Sequence, residues 1–380
     1  MSAAKPRLLI ISFSDISNDA RVKKQIDLFS ERYRVTTCGF GPQPRVGVEH
    51  LQLEHAVSQG FKYAEAVLLR LRAYGIAYRF HPTARAALRA LTGHRFDAVL
   101  ANDLDTLGVA FAVAEPEAVH ADLHEYFPGL NDQSPKWVRM RKPAHEWALR
   151  RYAVRAGSVT TVSDTIADRY AREFGFSSGV VRNAAPLATL APTPVASPIR
   201  VVHSGGAQAN RRIEVMMEAV AASSADVTLD LYLTGVGSAY HRSLEELAAR
   251  LGSRITLHPP VPQSELIETL NAYDVGIHVL PPTNTNNGLA LPNKFFDYVQ
   301  ARLALVIGPT IDMEQLLRQY DLGVVADGFD TNTVTAALDG LTAEEVERWK
   351  RNADAAAPEN SAESQLHVWE AAVGERIAPA

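Results

Sequence analysis

The segment Leu291-Pro-Asn-Lys-Phe-Phe-Asp-Tyr298 sets a cation, Lys294, and a carboxylate, Asp297, one turn apart at the start of an expected helix. Ahead of it runs Pro281-Pro-Thr-Asn-Thr-Asn-Asn-Gly288, a stretch of turn formers and short polar side chains. Backbone N–H groups at a helix start, the helix dipole and a lysine together suit a diphosphate. An acid one turn later can accept hydrogen bonds from a ribose diol. Taken alone, the octet equally fits a surface helix whose Lys/Asp pair contributes roughly a few tenths of a kcal/mol.

Other polar clusters fall where expected strands end. Ser204-Gly-Gly-Ala-Gln-Ala-Asn-Arg-Arg212 lies between a strand and a helix. Its glycines, Gly205 and Gly206, admit a ligand close to the backbone, and Arg211 or Arg212 can reach anionic oxygens. The loop is neither a Walker A loop nor a G-x-G-x-x-G fingerprint, which weakens a nicotinamide reading. Gly235-Val-Gly237 reads as a structural turn. His124 and Glu125 follow another strand, where an imidazole can polarise or hydrogen-bond a substrate. Apart from His124, the remaining histidines lack the H-x-x-x-H or H-E-x-x-H spacing that a zinc site requires, and no G-x-S-x-G elbow indicates a hydrolase.

The elements that position these clusters alternate twice along the chain. Strands are expected at 7–13, 33–38, 96–100, 118–123, 158–162 and 179–181, with helices including 20–30, 64–91 and 165–174 among them. After 186–198, which holds four prolines and reads as a linker, the alternation restarts. Strands at 199–203, 228–233, 255–257, 275–280 and 304–307 frame helices at 213–222, 243–251 and 264–272 and the octet helix. This order predicts an α/β protein with two Rossmann-like, doubly wound parallel-sheet domains, 1–186 and 199–358, facing across a cleft. Residues 187–198 would link them, and the segment 359–380, with a helix near 362–372, would pack back on the first domain. Ligands of such sheets bind at the carboxyl ends of the strands.

A chain of 380 residues suits two domains, and 47% hydrophobic with 21% charged residues is ordinary for a soluble protein. Apolar runs such as 8–11 and 303–307 are strand-length, too short to span a bilayer. One cysteine, Cys38, excludes an intrachain disulfide and a cysteine-rich metal site, and the expected location is cytoplasmic. Residues 1–190 carry 25 Lys and Arg against 19 Asp and Glu, whereas 191–380 carry 13 against 24. The basic residues concentrate in 62–89 and 136–155, the latter with Trp137, Met140 and Trp147 interleaved. That pattern suits peripheral contact of 136–155 with the inner face of an anionic membrane, and equally a solvated helix with snorkelling side chains. Overall acidity argues against a nucleic-acid partner.

With these motifs in this order, the chain resembles the GT-B nucleotide-sugar glycosyltransferases, specifically the large retaining, family 4-like group in its P-N-K form. The resemblance runs from Leu8 to about Val325. It is carried by Asn18-Asp-Ala-Arg-Val22, Asp122-Leu-His-Glu-Tyr126, Val162-Ser-Asp164, Arg182-Asn-Ala-Ala-Pro186, Tyr273-Asp-Val-Gly-Ile277 and the LPNKFFDYV block. It implies transfer of a sugar from a nucleoside diphosphate to an acceptor hydroxyl with retention, without a metal or other cofactor, in envelope polysaccharide or glycoconjugate assembly. His124, Arg211 and Lys294 become the catalytic candidates. Gly205, Gly206, Arg211, Pro260, Val261, Asn287, Gly288, Asn293, Lys294 and Asp297 become the donor-binding candidates. Ser14, Asp19, Arg21, Asp103 and Glu125 fall on the acceptor side, the acceptor being a glycan, a lipid-linked glycan or a small molecule.

Two positions depart from the family pattern. Leu289 stands where the first acid of an E-x7-E motif would be, and Gly206 replaces the loop arginine that usually follows the glycine. A sugar-nucleotide 2-epimerase and an inactive GT-B scaffold or binding protein are the alternative readings.

Overall fold

The computed structural model describes residues 5–54 and 58–375, so the end of the expected tail segment, 376–380, lies outside the described residues. The chain divides into two compact units. One comprises Met1–Arg182, Asn284–Asn286 and Gln365–Ala380; the other comprises Asn183–Thr283 and Asn287–Ser364.

The first unit is built on strands β1 (Arg7–Asp15), β2 (Arg34–Phe40), β3 (Glu49–Gln52), β4 (Ala98–Asn102), β5 (Val119–Leu123), β6 (Ser158–Thr161) and β7 (Gly179–Val180). Every pairing is parallel, in the order β3-β2-β1-β4-β5-β6-β7. Leu8, Leu9, Ile10 and Ile11 of β1 are all fully buried, the unbroken apolar run expected of a central strand covered on both faces. Helix α1 (Ala20–Ser30) starts where the Asp19 carboxylate accepts the N–H groups of Arg21 and Val22. It buries Val22, Ile26 and Phe29 at helical spacing. The helix Leu366–Gly374 completes this core by burying Trp369 and Val373 against Leu8, Ile10, Val22 and Phe29.

The second unit carries β8 (Ile199–Gly206), β9 (Val227–Thr234), β10 (Ile255–His258), β11 (Val275–His278), β12 (Ala304–Ile307) and β13 (Gly323–Val325), parallel throughout, in the order β10-β9-β8-β11-β12-β13. Successive residues serve opposite faces. Val201 and Val306 join one apolar cluster, while Val202, Leu305 and Ile307 join the other. Helices therefore cover both faces.

Two short edge strands, β3 and β13, escape a reading by hydrophobic pattern because neither contains a long apolar run. The proline-rich stretch, expected as a linker, is laid down on the second unit. Arg302 Nη2 donates to Ala188 O (2.8 Å), Thr193 Oγ1 donates to Asn271 O (3.1 Å), and Ala196 N–H donates to Asp274 (3.3 Å). Fully buried Lys350 fastens it further, donating to Thr193 Oγ1, Tyr273 O and Asp274.

Candidate functional site

In each sheet the strand order reverses beside the first strand, between β1 and β4 and between β8 and β11. Ligands of open α/β sheets bind outside the carboxyl ends of the strands at such points. In the second unit the register sets Val201 beside Val275 and Val202 beside Gly276. Beyond these pairs, toward the carboxyl ends, stand His203 and His278, rings stacked 5.7 Å apart and 1° from parallel. His203 Nδ1 lies 2.8 Å from the Ile277 carbonyl, which must accept, so Nδ1 carries the proton and Nε2 is left as an acceptor.

The helix Asn293–Gln300 is fixed against these strand ends by Tyr298. Its hydroxyl donates to Ile277 O (3.2 Å) and accepts from Ser204 N–H (3.4 Å). Gly276 makes room for the ring, since a Cβ there would stand 2.4 Å from it. The helix begins after Pro292 with no side-chain cap; Phe295 N–H donates to Pro292 O (3.1 Å), and the N–H groups of Asn293 and Lys294 ahead of it suit a ligand. Lys294 reaches back over the glycine loop. A Cβ at Gly205 would lie 2.4 Å from Lys294 Cε and 2.8 Å from Nζ, so only glycine lets the ammonium occupy this place.

Arg211 closes the short turn Ala209–Arg211. Its neighbour Arg212 adopts left-handed backbone (φ 48°) and faces Glu214 at 3.5 Å, whereas Arg211 has no ion pair among the described residues. Burial and then the Arg211 charge press the Lys294 ammonium below its ordinary range, with Asp297 partly offsetting them. Burial, then the Lys294 charge, pushes His203 down to about 3, against the pull of the Ile277 carbonyl. His278 is likewise held well below the ordinary histidine range, and neither of its buried nitrogens has a partner among the described residues. The result is two cations and an open helix start above a pair of neutral imidazoles, which is chemistry for a polyvalent anion. The two histidines escaped the sequence reading; the signal was a histidine near the carboxyl end of each of two strands, visible only once the strand order made them neighbours.

The remaining donor-side candidates lie at the same edge of this sheet or in its loops. Gly206 ends β8, and Pro260 and Val261 follow β10, two strands away. Asn293 is exposed at the helix start. Asn287 Nδ2 donates to Thr283 Oγ1 (3.1 Å), which ties Asn287 and Gly288 into the preceding loop. Asp297 is seated deeper than a ribose ligand was expected to be, only 5% exposed. Leu289 is buried as an apolar residue.

The first unit holds its own strand-end cluster. Asp122, at 0% exposure, accepts from Arg21 Nε (2.8 Å) and Nη2 (2.7 Å), Gln25 Nε2 (2.7 Å) and Thr160 Oγ1 (2.7 Å). Burial would raise its carboxyl, but Arg21 and His124 hold it well below the usual range. His124 Nε2 lies 3.2 Å from Asp122 Oδ2 and 3.1 Å from Asn102 Oδ1, while Nδ1 faces Asp103 at a looser 3.5 Å. Burial lowers this imidazole, yet Asp103 and Asp122 together lift it above its ordinary value. Asp103 has left-handed backbone (φ 65°) and accepts the His124 N–H at 3.1 Å, so it orients the histidine.

Four of the five acceptor-side candidates are engaged by other residues of their own unit. Arg21 is buried, spent on Asp122 and Val181 O (2.8 Å) and stacked 4.7 Å over Trp369, so it acts through Asp122. Ser14 and Asp19 serve the start of α1, Ser14 Oγ donating to Asp19 at 2.7 Å. The Glu125 carboxylate accepts from Asn286 Nδ2, and Asn286 Oδ1 in turn accepts the Tyr126 N–H at 2.8 Å. The aromatics of 136–155 are half-buried and make internal ring contacts. Trp137 packs on His145, and Trp147 packs on Tyr74 and Tyr152.

No protein-family model matches the chain, and no curated protein matches it. Solved structures do. HepE of Anabaena in complex with UDP-glucose superposes with a TM-score of 0.71 at 14% identity, covering 96% of this chain and 99% of that one. Sucrose-phosphate synthase of Thermosynechococcus elongatus gives 0.70 at 13% identity, covering 98% and 97%. The α,α-trehalose 6-phosphate synthase of Burkholderia multivorans gives 0.68 at 11%, covering 98% and 96%. The chain has the GT-B fold of these enzymes.

Proposed function

We propose that the protein transfers a sugar from a nucleoside-diphosphate sugar to an acceptor hydroxyl, with retention of configuration. The observation that carries this reading is Lys294, at the uncapped start of the helix Asn293–Gln300, lying over Gly205 with the Arg211 charge acting on it. Glycosyl transfer builds negative charge on the departing diphosphate, and preorganised donors in a partly desolvated site stabilise that charge. Lys294 and Arg211 supply it from side chains, the helix start from backbone N–H groups. His124, lifted by its two acids, is the first unit's candidate for hydrogen bonding to the sugar, through the nitrogen that faces Asp103 at the longer distance. The fold neighbours include a protein in complex with UDP-glucose, so uridine diphosphate sugars are the first donors to try. The acceptor is a glycan, a lipid-linked glycan or a small hydroxyl compound of envelope polysaccharide or glycoconjugate assembly, and no metal or organic cofactor is required.

The test is a thermal-shift panel of nucleoside diphosphates and nucleotide sugars, with and without magnesium, on the native protein and Lys294→Ala. One nucleotide should raise Tm by a few degrees, and the substitution should abolish the rise. Indifference of the native protein to every nucleotide would defeat the proposal. Turnover of the donor without an acceptor would instead favour an epimerase.

A further inference from the structure

Of the eleven large apolar side chains that stand exposed among the described residues, five lie between positions 63 and 80 of the first unit. They are presented by two consecutive helices, α2 (Gln59–Arg70) and α3 (Tyr74–Phe80). Tyr63, Val67 and Leu71 recur every fourth residue, and Ile76 and Phe80 repeat that spacing on α3. The opposite side of α2 does the packing, since Leu69 is buried and the Glu65 carboxylate is held by Arg141 at 2.6 Å and 2.8 Å. The apolar stripe therefore has no covering partner among the described residues, although Tyr63 is 76% and Leu71 70% exposed.

The charge around the stripe is of one sign. Lys62, Arg70, Arg72 and Arg79 flank it, all exposed. Arg72 takes left-handed backbone (φ 56°) at the corner, where Leu71 projects between two exposed arginines. Between Glu54 and Asp97 the sequence holds a single acid, Glu65, and Arg141 neutralises it. Beside α2, a groove lined by Lys62, Lys136 and Arg141 has Trp137 and Met140 in its wall. An apolar stripe bordered by cations on short helices is the chemistry of a segment that rests in the headgroup region of an anionic bilayer.

We propose that α2 and α3 form a membrane-docking surface, with Tyr63, Val67, Leu71, Ile76 and Phe80 entering the acyl boundary and the surrounding cations meeting anionic headgroups. The stripe lies on a different segment from 136–155, of which Trp137 and Met140 only wall the groove beside it. It is also independent of the donor site, and the test separates the two. The full chain is floated with vesicles of phosphatidylcholine, pure or containing one-third phosphatidylglycerol. Native protein should float with the anionic vesicles only, and less so as salt rises. The double variant Val67→Glu, Leu71→Glu should lose roughly tenfold or more in partitioning, and Arg70→Glu with Arg72→Glu should lose the preference for anionic lipid. Circular dichroism and nucleotide-induced thermal shift, unchanged in both variants, would show that fold and donor site survive. The proposal is overturned if native protein stays unbound with anionic vesicles, or if the Val67→Glu, Leu71→Glu variant floats equally well. Concentration-dependent self-association abolished by that variant, without vesicle binding, would overturn it in favour of a second copy of the chain.

Discussion

At the scale of single residues, Gly205 decides whether the candidate anion site exists. Lys294 owes its position to the missing side chain at 205, because a methyl group there would fall within 2.8 Å of both Cε and Nζ. Gly205→Ala should therefore displace the ammonium, the flexible end of a lysine, and also strain the backbone, whose φ of 154° side-chain-bearing residues rarely adopt. We expect donor KM to rise about tenfold, the scale of one lost charge-assisted hydrogen bond, and Tm to fall because the backbone is strained. Steady-state kinetics beside a thermal melt would check it; unaltered KM would mean that Lys294 does not touch the donor. His278 poses the complementary question. A buried imidazole with both nitrogens unpartnered is costly unless a ligand completes it, which places it with Lys294 and Arg211 in the candidate site.

At the scale of elements, α1 shows how a side chain that appeared to face a substrate instead builds the platform beneath one. The Arg21 guanidinium spans from α1 to β5 through Asp122 and caps Trp369 of the last helix. Removing one member of such a buried pair leaves an uncompensated charge. Arg21→Ala should cost about 3–5 kcal/mol of stability, more than any surface ion pair here would. Chemical denaturation would show it, and a loss below about 1 kcal/mol would mean that the carboxylate finds relief elsewhere. Tyr298 does comparable work in the second unit, joining the octet helix to β8 and β11 through one hydroxyl.

At the scale of the whole molecule, the buried histidines tie stability to pH with opposite signs. His203 is depressed in the folded chain to about 3 from an ordinary 6.5. Its contribution is therefore complete above pH 6.5 and is lost as pH falls from there toward 3, as the unfolded chain takes up the proton first. His124 is raised, so its contribution is complete below about pH 6.5 and fades as pH rises through its folded value. In denaturant melts across pH, His203→Gln should flatten the acid limb, removing up to about 1.4 kcal/mol per pH unit. An acid limb of unchanged slope would show that His203 is already protonated in the fold.

The sequence by itself determined the double alternation of strand and helix, the apolar strands of the two sheets and the loops that end them, because hydrophobic period and turn chemistry are local properties. It also located Lys294, Arg211, Gly205 and His124 at strand or helix ends. It left undecided which polar residues stay free for a ligand. Arg21, Asp19 and Glu125 looked as available as Arg211 until their partners, some more than a hundred residues away, were in place. The stacking of His203 on His278, seventy-five positions apart, arises from the order of β8 and β11, which no local pattern contains. The exposed stripe of α2 and α3 is of the same kind. Tyr63, Val67 and Leu71 have the spacing of a core-facing helix, and only the tertiary structure shows Leu69 and Glu65 turned inward and the stripe turned out. Burial depends on what the rest of the chain brings to a surface, and that is settled by packing at long range.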